Sequence, residues 1–282
     1  MSPPRSTDQR YYLHSWGSDR DPPVLLLHGF TGHGGSWAEA GGRFAGQGFH
    51  VLAPDLLGHG RSPHPSEADR YEMVHAGADL KTLLEESGVT SVHLLGYSMG
   101  GRLALFFALN YPERVRTLTL VGASPGIASA VERAERRERD NRLAVRIERD
   151  GIGAFVDYWE SLPLWNSQRR NLTTAQRRRL REQRLQNKPR GLANSLRGTG
   201  TGAQPSLHSA LPTLPAPTLL LVGAEDERFV VVNRRMAQSI PRASLVVIPE
   251  TGHAIHLERP QEFASIVLDF WRTTESSGTL AS

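Results

Sequence analysis

Short apolar segments alternate with longer segments of helical periodicity along most of the chain. The short segments are rich in leucine and β-branched residues and are bounded by Gly, Pro or Asp. They comprise residues 24–28, 50–53, 92–95, 117–121, 218–222 and 244–248. The helical segments comprise residues 71–86, 102–110, 232–240 and 260–271. Because continuous apolar runs are typical of strands buried on both faces, this alternation predicts an α/β fold with a mostly parallel sheet between helices. Residues 11–16 predict a further strand at the sheet edge.

The alternation stops between residues 125 and 212. This segment has no strand pattern but contains charged amphipathic stretches, including residues 131–149 and 152–159. Because it lies between two predicted strands, we expect a helical lid over the carboxyl ends of the sheet, where open α/β folds bind ligands. The predicted organisation is a core domain in two parts, residues 1–124 and 213–282, with the lid at residues 125–212.

Composition and charge narrow the function further. The apolar fraction of 39% and the charged fraction of 22% are typical of globular proteins. The absence of cysteine excludes disulfides, thiolate metal sites and cysteine nucleophiles. The formal net charge is only +4, so we expect no nucleic-acid partner. The polar opening residues and the lack of any run of about 18 apolar residues predict a cytoplasmic protein without membrane insertion.

A G-x-S-x-G motif, Gly96-Tyr-Ser-Met-Gly100, lies between a predicted strand and a predicted helix. At a sharp strand-to-helix turn, the glycines avoid side-chain clashes and the serine hydroxyl projects above the sheet. The helix that begins there adds backbone N–H donors and a dipole that favours developing negative charge. The motif therefore indicates Ser98 as the reactive residue.

A serine hydroxyl becomes reactive only when a histidine takes its proton and a carboxylate orients that histidine. Glu225 and Asp226 follow one predicted strand, and His253 follows the next. The order Ser, Asp, His is the one expected of the α/β-hydrolase fold. Asp226 occupies the usual position of the acid in Gly-x-x-Asp, and Glu225 is an alternative orienting group.

The segment His28-Gly-Phe-Thr-Gly32 ends the first strongly predicted strand, where this fold places its oxyanion loop. We expect the backbone N–H groups of Phe30 and Met99 to form the oxyanion hole. His28 itself is interpreted as structural. In residues 54–62, the Asp and Gly residues are expected to shape a turn.

Two further patterns imitate ligand sites. His256 and Glu258 follow His253 closely, but three potential ligands do not establish a metal geometry, and His253 already belongs to the predicted triad. The run Gly198-Thr-Gly-Thr-Gly202 imitates a nucleotide-binding loop, but it does not follow a strand. We therefore expect neither a metal nor a cofactor.

Motifs along nearly the whole chain point to one family. They are Gly96-Tyr-Ser-Met-Gly-Gly-Arg102, Ser124-Pro-Gly126, Glu132-Arg-Ala-Glu-Arg136, Phe155-Val-Asp-Tyr-Trp159, Leu185-Gln-Asn187, Gly191-Leu-Ala-Asn-Ser-Leu196 and Gly202-Ala-Gln-Pro205. Together they resemble the 2-succinyl-6-hydroxy-2,4-cyclohexadiene-1-carboxylate synthases, the pyruvate-eliminating lyases of menaquinone biosynthesis. The triad motif alone fits many hydrolases, so the arginine after the second glycine and the lid motifs carry the specificity.

The resemblance implies a small-molecule substrate with three carboxylates. Arginine suits such a substrate because its planar guanidinium binds carboxylates in a bidentate manner. By this resemblance Arg102, Arg136 and Arg184 bind the carboxylates, and Arg102 lies one helical turn behind the reactive hydroxyl. For the second and third of these positions, neighbours such as Arg137 and Arg181 remain alternatives. Further pocket positions implied by the resemblance are Tyr97, Tyr158, Trp159 and Gln204.

The implied reaction needs no cofactor. Ser98, made basic by His253 and Asp226, removes a proton next to the succinyl ketone, an enolate develops in the oxyanion hole, and pyruvate is expelled. Direct proton abstraction by the histidine stays open. Two rival functions also remain: a serine hydrolase of ester or carbon–carbon bonds with Ser98 as nucleophile, and a non-catalytic ligand-binding protein of the same fold. The sequence makes no prediction of the oligomeric state.

Overall fold

A seven-stranded sheet forms the centre of the computed structural model, which describes residues 11–278. The spatial order is β1-β3-β2-β4-β5-β6-β7, and within the described residues β1 alone is antiparallel to its neighbour. The strands are β1 Leu13–Trp16, β2 Pro23–Leu27, β3 His50–Pro54, β4 Val92–Tyr97, β5 Val115–Val121, β6 Thr218–Gly223 and β7 Ala243–Ile248. The predicted α/β fold and its edge strand are confirmed. The opening residues 1–10, on which the prediction of no secretory signal rests, and residues 279–282 lie outside the described part.

Helices cover both faces of this sheet. The α-helices of the described chain are α1 Ala38–Ala45, α2 Met73–Glu86, α3 Met99–Asn110, α4 Ala130–Ser161, α5 Asn166–Asn171, α6 Thr174–Leu185, α7 Pro189–Thr199, α8 Glu227–Ser239, α9 Ile255–Glu258 and α10 Pro260–Gly278. Short 3-10 turns lie at Gly34–Trp37, Ala68–Tyr71, Pro112–Arg114, Pro163–Trp165 and His208–Thr213. No helix within residues 11–278 combines the length and apolar character that a membrane crossing requires.

The core consists of two apolar layers, one on each face of the sheet. Within β2, Leu25 and Leu27 pack in the layer beneath α2, α3 and α8, whereas Val24 and Leu26 pack in the layer beneath α1 and α10. Successive side chains of a strand point to opposite faces, so a strand covered on both faces has to be apolar at every position. This requirement explains why the strands were predictable from short continuous apolar runs.

Helices α4 to α7 lie between β5 and β6 in the chain, within residues 125–212, which we call the helical segment. It has an apolar cluster of its own, which includes Ile147, Phe155 and Leu192. Helix α4 is interrupted at Gly151, whose φ of 80° is non-helical. The break falls between the two predicted amphipathic stretches. The proposed domain boundaries at the two ends of this segment stay predictions.

Candidate active site

The turn between β4 and α3 holds Ser98 in a backbone conformation with φ 52° and ψ −108°. Positive φ is uncommon for a residue other than glycine and marks a strained turn. A Cβ atom on Gly96 would lie 2.3 Å from the carbonyl oxygen of Gly100, and one on Gly100 would lie 2.4 Å from that of Leu27. The turn therefore packs so tightly that both motif glycines are required.

A continuous chain of hydrogen bonds joins Ser98, His253 and Asp226. The Oγ of Ser98 lies 2.9 Å from Nε2 of His253, and Nδ1 of His253 lies 2.6 Å from Oδ2 of Asp226. Asp226 follows β6 and His253 follows β7, so both residues reach the edge of the sheet at which β4 delivers the serine. The imidazole packs against Phe229, with ring centroids 4.9 Å apart. This geometry allows the histidine to take the proton of the serine while the aspartate fixes its tautomer.

The alternative orienting group lies elsewhere. The carboxylate of Glu225 is bound by the guanidinium of Arg170 from the helical segment. Of the two adjacent carboxylates, only Asp226 contacts His253 among the described residues.

The oxyanion loop follows β2 and is held by a buried histidine. The ring of His28 accepts a hydrogen bond from the backbone N–H of Leu56 at 2.9 Å and donates one to the carbonyl of Gly29 at 2.8 Å. Burial, followed by the nearby His59, holds the pKa of His28 well below its usual value, so the ring is neutral. Both ring nitrogens serve the loop, as expected of a structural histidine, and the loop places Phe30 beside Ser98 in the cavity wall.

A cavity of about 420 Å³ lies above Ser98. Its wall combines residues of the core with residues of the helical segment. The larger apolar and aromatic side chains of the wall are Phe30, Tyr97, Leu143, Trp159, Leu164, Trp165, Leu196 and Phe229. The cavity thus offers the serine a mostly apolar environment in which charged groups interact strongly.

Arg102 is buried at one side of this cavity. It lies one turn into α3, and its Nη1 donates to the carbonyl oxygen of Thr199 at 2.6 Å and to Oε1 of Gln204 at 3.3 Å. Burial, with a smaller contribution from the charge of Arg136, lowers the pKa of Arg102 to about 10. The guanidinium therefore remains charged at neutral pH, and Arg102 lines the cavity, where a guanidinium can bind a carboxylate.

Arg136 also lines the cavity, and a buried carboxylate positions it. Its Nε donates to Oδ1 of Asp140 at 2.8 Å, one helical turn along α4. The other oxygen of Asp140 accepts the backbone N–H of Gly202 at 3.1 Å. The alternative residue Arg137 lies instead along a separate surface groove.

Arg184 lies outside the lining of the main cavity. Its Nη1 donates to Glu160 at 2.9 Å, and its guanidinium lies 5.3 Å from the ring centroid of Trp165. It borders a second, smaller cavity of about 70 Å³ that shares Tyr97 and Trp165 with the first. The alternative Arg181 is exposed and binds Asp157 and Glu160.

The remaining predicted pocket residues take different positions. Tyr97 and Trp159 line the cavity, and burial raises the pKa of the Tyr97 hydroxyl. Tyr158 points away from the lining, with the guanidinium of Arg146 4.8 Å from its ring centroid. Gln204 is fully buried behind Arg102, and its Nε2 donates to the carbonyl oxygen of Ser124 at 3.3 Å. It therefore orients the arginine from outside the cavity wall.

The sequence analysis missed Asp140, Arg228 and the wall formed by residues 199–201. The glycine-rich run was interpreted as a plain turn, yet it supplies both the carbonyl that receives Arg102 and part of the lining. The available signal for Asp140 was its position four residues after Arg136 in an arginine-rich helix, since such positions face each other. For Arg228, the position two residues after the triad acid was the available signal.

A group of three potential metal ligands lies outside this cavity in the described chain. Ligand atoms of His14, His33 and Asp55 lie within 4.8 Å of one another. Asp55, however, already accepts the backbone N–H groups of Gly34 and Arg61, each at 2.7 Å, and Nε2 of His14 at 3.0 Å. The carboxylate thus shapes the turn predicted for residues 54–62.

His256 and Glu258, the two potential ligands that follow His253 in the sequence, also contact other residues. Glu258 accepts hydrogen bonds from Ser167 at 3.0 Å and from Asn171 at 2.8 Å, and the ring of His256 lies 4.4 Å from that of Tyr97. Both residues support the fold around His253.

Comparison with known proteins extends these observations. Residues 22–260 match the family model of the alpha/beta hydrolase fold. A Bacillus subtilis (strain 168) protein named "Putative 2-succinyl-6-hydroxy-2,4-cyclohexadiene-1-carboxylate synthase" is 41% identical over 93% of this chain and 94% of its own length. The 2-succinyl-6-hydroxy-2,4-cyclohexadiene-1-carboxylate synthase of Salmonella agona (strain SL483) is 34% identical over 88% of this chain and 92% of its own. The structure of MenH from S. aureus superposes with a TM-score of 0.89 at 33% identity, covering 95% of this chain and 100% of that one. The chain belongs to the alpha/beta hydrolase fold and, within it, to the 2-succinyl-6-hydroxy-2,4-cyclohexadiene-1-carboxylate synthase family.

Proposed function

We propose that this chain eliminates pyruvate from 2-succinyl-5-enolpyruvyl-6-hydroxy-3-cyclohexene-1-carboxylate and forms 2-succinyl-6-hydroxy-2,4-cyclohexadiene-1-carboxylate, a step of menaquinone biosynthesis. The observation that carries the proposal is the combination, in one cavity, of a hydrogen-bonded Ser98 with the guanidinium groups of Arg102 and Arg136. A neutral ester substrate needs no buried guanidinium, whereas a tricarboxylate does. The names of the relatives agree with this substrate.

Ser98 acts as a base in this proposal. Its Oγ takes the proton from the ring carbon next to the succinyl ketone while its own proton passes to Nε2 of His253, 2.9 Å away. Asp226 stabilises the resulting imidazolium through its 2.6 Å hydrogen bond. The electron pair of the broken C–H bond moves to the ketone oxygen, and no bond between the serine and carbon is required.

The enolate then collapses. Its electrons form a double bond between C2 and C3 of the ring, the existing C3–C4 double bond moves to C4–C5, and the C–O bond between C5 and the enolpyruvyl group breaks. Pyruvate leaves as its enolate and takes up a proton, which the His253 imidazolium supplies, so the triad returns to its starting state. Phe30 and Met99 line the cavity that contains Ser98, and their backbone N–H groups are the proposed donors to the ketone oxygen.

The carboxylates of the substrate bind the cavity arginines, and this binding positions the acidic C–H bond next to Ser98. Arg102 is the deeper receptor because it is buried and fixed by Thr199 and Gln204. Arg136 is the second receptor, held by Asp140. Two fixed charges orient the ring so that the acidic proton faces Ser98, and orientation of this kind supplies a large share of the rate acceleration of enzymes.

The test supplies the enolpyruvyl precursor and follows pyruvate with a coupled lactate dehydrogenase assay. Wild type is expected to release pyruvate, and Ser98→Ala is expected to lower kcat by about 10²- to 10⁴-fold, the usual contribution of a positioned base. Arg102→Ala is expected to raise KM and lower kcat together. The exposed Ser87, at the end of α2, gives a matched control variant, Ser87→Ala, which should keep wild-type rates.

Two outcomes contradict the proposal. If wild type releases no pyruvate but cleaves activated esters rapidly, Ser98 is the nucleophile of a hydrolase. If wild type does neither, yet binds the precursor, the chain is a binding protein.

A further inference from the structure

Three arginines line the main cavity in the described chain, Arg102, Arg136 and Arg228. The first is fixed by Thr199 and the second by Asp140. Arg228 differs from both, because it is exposed and its side chain forms no hydrogen bond or ion pair with any residue in the described range. An arginine that faces a cavity without a protein partner is available to an anionic ligand.

The position of Arg228 brings it close to the reacting groups. It is the second residue of α8, two positions after Asp226 and directly before Phe229. Asp226 binds His253, and the ring of Phe229 packs on the same imidazole. The start of α8 also carries the positive end of the helix dipole, which favours an anion there.

The acidic side chains around Arg228 are not its partners. The carboxylate of Asp226 is bound to His253, and that of Glu225 is bound to Arg170. Glu227 precedes Arg228 on the helix, and adjacent positions of a helix do not face each other. No carboxylate within residues 11–278 therefore neutralises this guanidinium.

We infer that Arg228 binds one carboxylate of the substrate at the exposed side of the cavity. The inference rests on the proposed function for the identity of the substrate. Arg184, the third position implied by the family resemblance, is bound to Glu160 beside the smaller cavity, whereas Arg228 faces the main one. Because Arg228 is exposed, its ion pair is weaker than that of the buried Arg102.

The kinetic test compares wild type, Arg228→Gln, Arg228→Lys and a matched control, Arg234→Gln. Arg234 is exposed on the same helix but does not line the cavity. Arg228→Gln is expected to raise KM for the enolpyruvyl precursor by roughly 2- to 5-fold with kcat within about twofold, as an exposed charge pair allows. Arg228→Lys should recover part of the loss, because it keeps the charge without the bidentate geometry. An unchanged KM in Arg228→Gln contradicts the inference.

A binding test separates this inference from the proposed function. Isothermal titration calorimetry of benzene-1,3,5-tricarboxylate and of benzoate needs no turnover. Wild type is expected to bind the tricarboxylate more tightly than benzoate, and Arg228→Gln is expected to lose several-fold in affinity for the tricarboxylate alone. If this holds while no pyruvate is released, the carboxylate site stands and the lyase function fails. Equal affinities of wild type and Arg228→Gln, or a wild type that prefers benzoate, contradict the inference even if pyruvate is released.

Discussion

The guanidinium of Arg102 donates a 2.6 Å hydrogen bond to the backbone carbonyl of Thr199. This bond joins α3, which begins at the reactive serine, to the last residue of α7 in the helical segment. The same nitrogen contacts Gln204, which in turn donates to the carbonyl of Ser124 after β5. The side chain of Arg102 is thus fixed by one hydrogen-bond network that spans the core and the helical segment.

The first prediction concerns the shape of the Arg102 side chain. Arg102→Lys keeps a positive charge. A lysine ammonium, however, lacks the planar set of N–H donors with which a guanidinium can bind Thr199 and a carboxylate at the same time. We expect kcat/KM to fall by about 10- to 100-fold, since hydrogen bonds to charged groups contribute about 1.5–3 kcal/mol each. The measurement is the rate of pyruvate release, with the exposed Arg235→Lys as control. A loss smaller than twofold would show that charge alone suffices.

The second prediction concerns Asp140 as a positioning residue. Asp140→Asn cannot accept from both Arg136 and the backbone of Gly202 as the carboxylate does. We expect KM to rise, kcat to change less, and the free energy of unfolding in urea to fall by about 1–3 kcal/mol, the cost of a buried unpaired group. Asp150 pairs with Arg149 at the surface of the same helix, so Asp150→Asn should change stability by less than about 0.5 kcal/mol. If Asp140→Asn and Asp150→Asn changed KM equally, Asp140 would have no positioning role.

The third prediction uses the glycine at the start of α3. A Cβ atom on Gly100 would lie 2.4 Å from the carbonyl oxygen of Leu27, so Gly100→Ala should displace the turn that holds Ser98. We expect a loss of about 1–3 kcal/mol in unfolding free energy and a loss of pyruvate release. Gly42 in α1 faces open space, so Gly42→Ala should instead add about 0.5–1 kcal/mol. Thermal unfolding and activity assays distinguish the two, and full activity in Gly100→Ala would contradict the role of the turn.

The fourth prediction concerns stability in acid. Burial, with a smaller effect of His253, lowers the pKa of His256 to about 3, whereas an unfolded chain protonates this ring near pH 6.5. Below pH 6.5 the unfolded state therefore binds a proton that the folded His256 does not, and this group alone lowers folding stability by about 1.4 kcal/mol per pH unit as the pH falls towards 3. His256→Gln should reduce the slope of the unfolding free energy against pH by the contribution of one proton. The measurement is urea unfolding between pH 7 and 4. Replacement of the exposed His75 is the control, and an unchanged slope in His256→Gln would refute the assignment.

The sheet and the three triad residues were accessible to sequence reasoning for a physical reason. Each triad residue lies within five positions after the end of a short apolar strand, and parallel strands deliver their carboxyl ends to one edge of the sheet. Local patterns therefore sufficed to bring Ser98 and His253 together. Helix α1 was not predicted, because its two adjacent glycines, Gly41 and Gly42, weaken the helical signal.

The cavity wall was less accessible because it depends on how helices pack. Tyr158 and Trp159 are neighbours in α4, yet only the tryptophan reaches the lining. Adjacent helical positions point about 100° apart, and the rotation of a helix is set by the tertiary contacts of its buried face. The guanidinium of Arg184 forms an ion pair with Glu160 of another helix, and no local sequence pattern predicts this pairing.

The hydrogen bond between Ser98 and His253 joins residues that lie 155 positions apart along the chain. It can therefore form only late in synthesis. A ribosome delivers the amino-terminal part first, so the reactive turn emerges well before the imidazole that activates it. A nascent or truncated polypeptide that ends before β7 lacks His253, so its Ser98 hydroxyl has no histidine to take the proton. Formation of the hydrogen-bonded triad therefore requires that synthesis has passed β7 and His253.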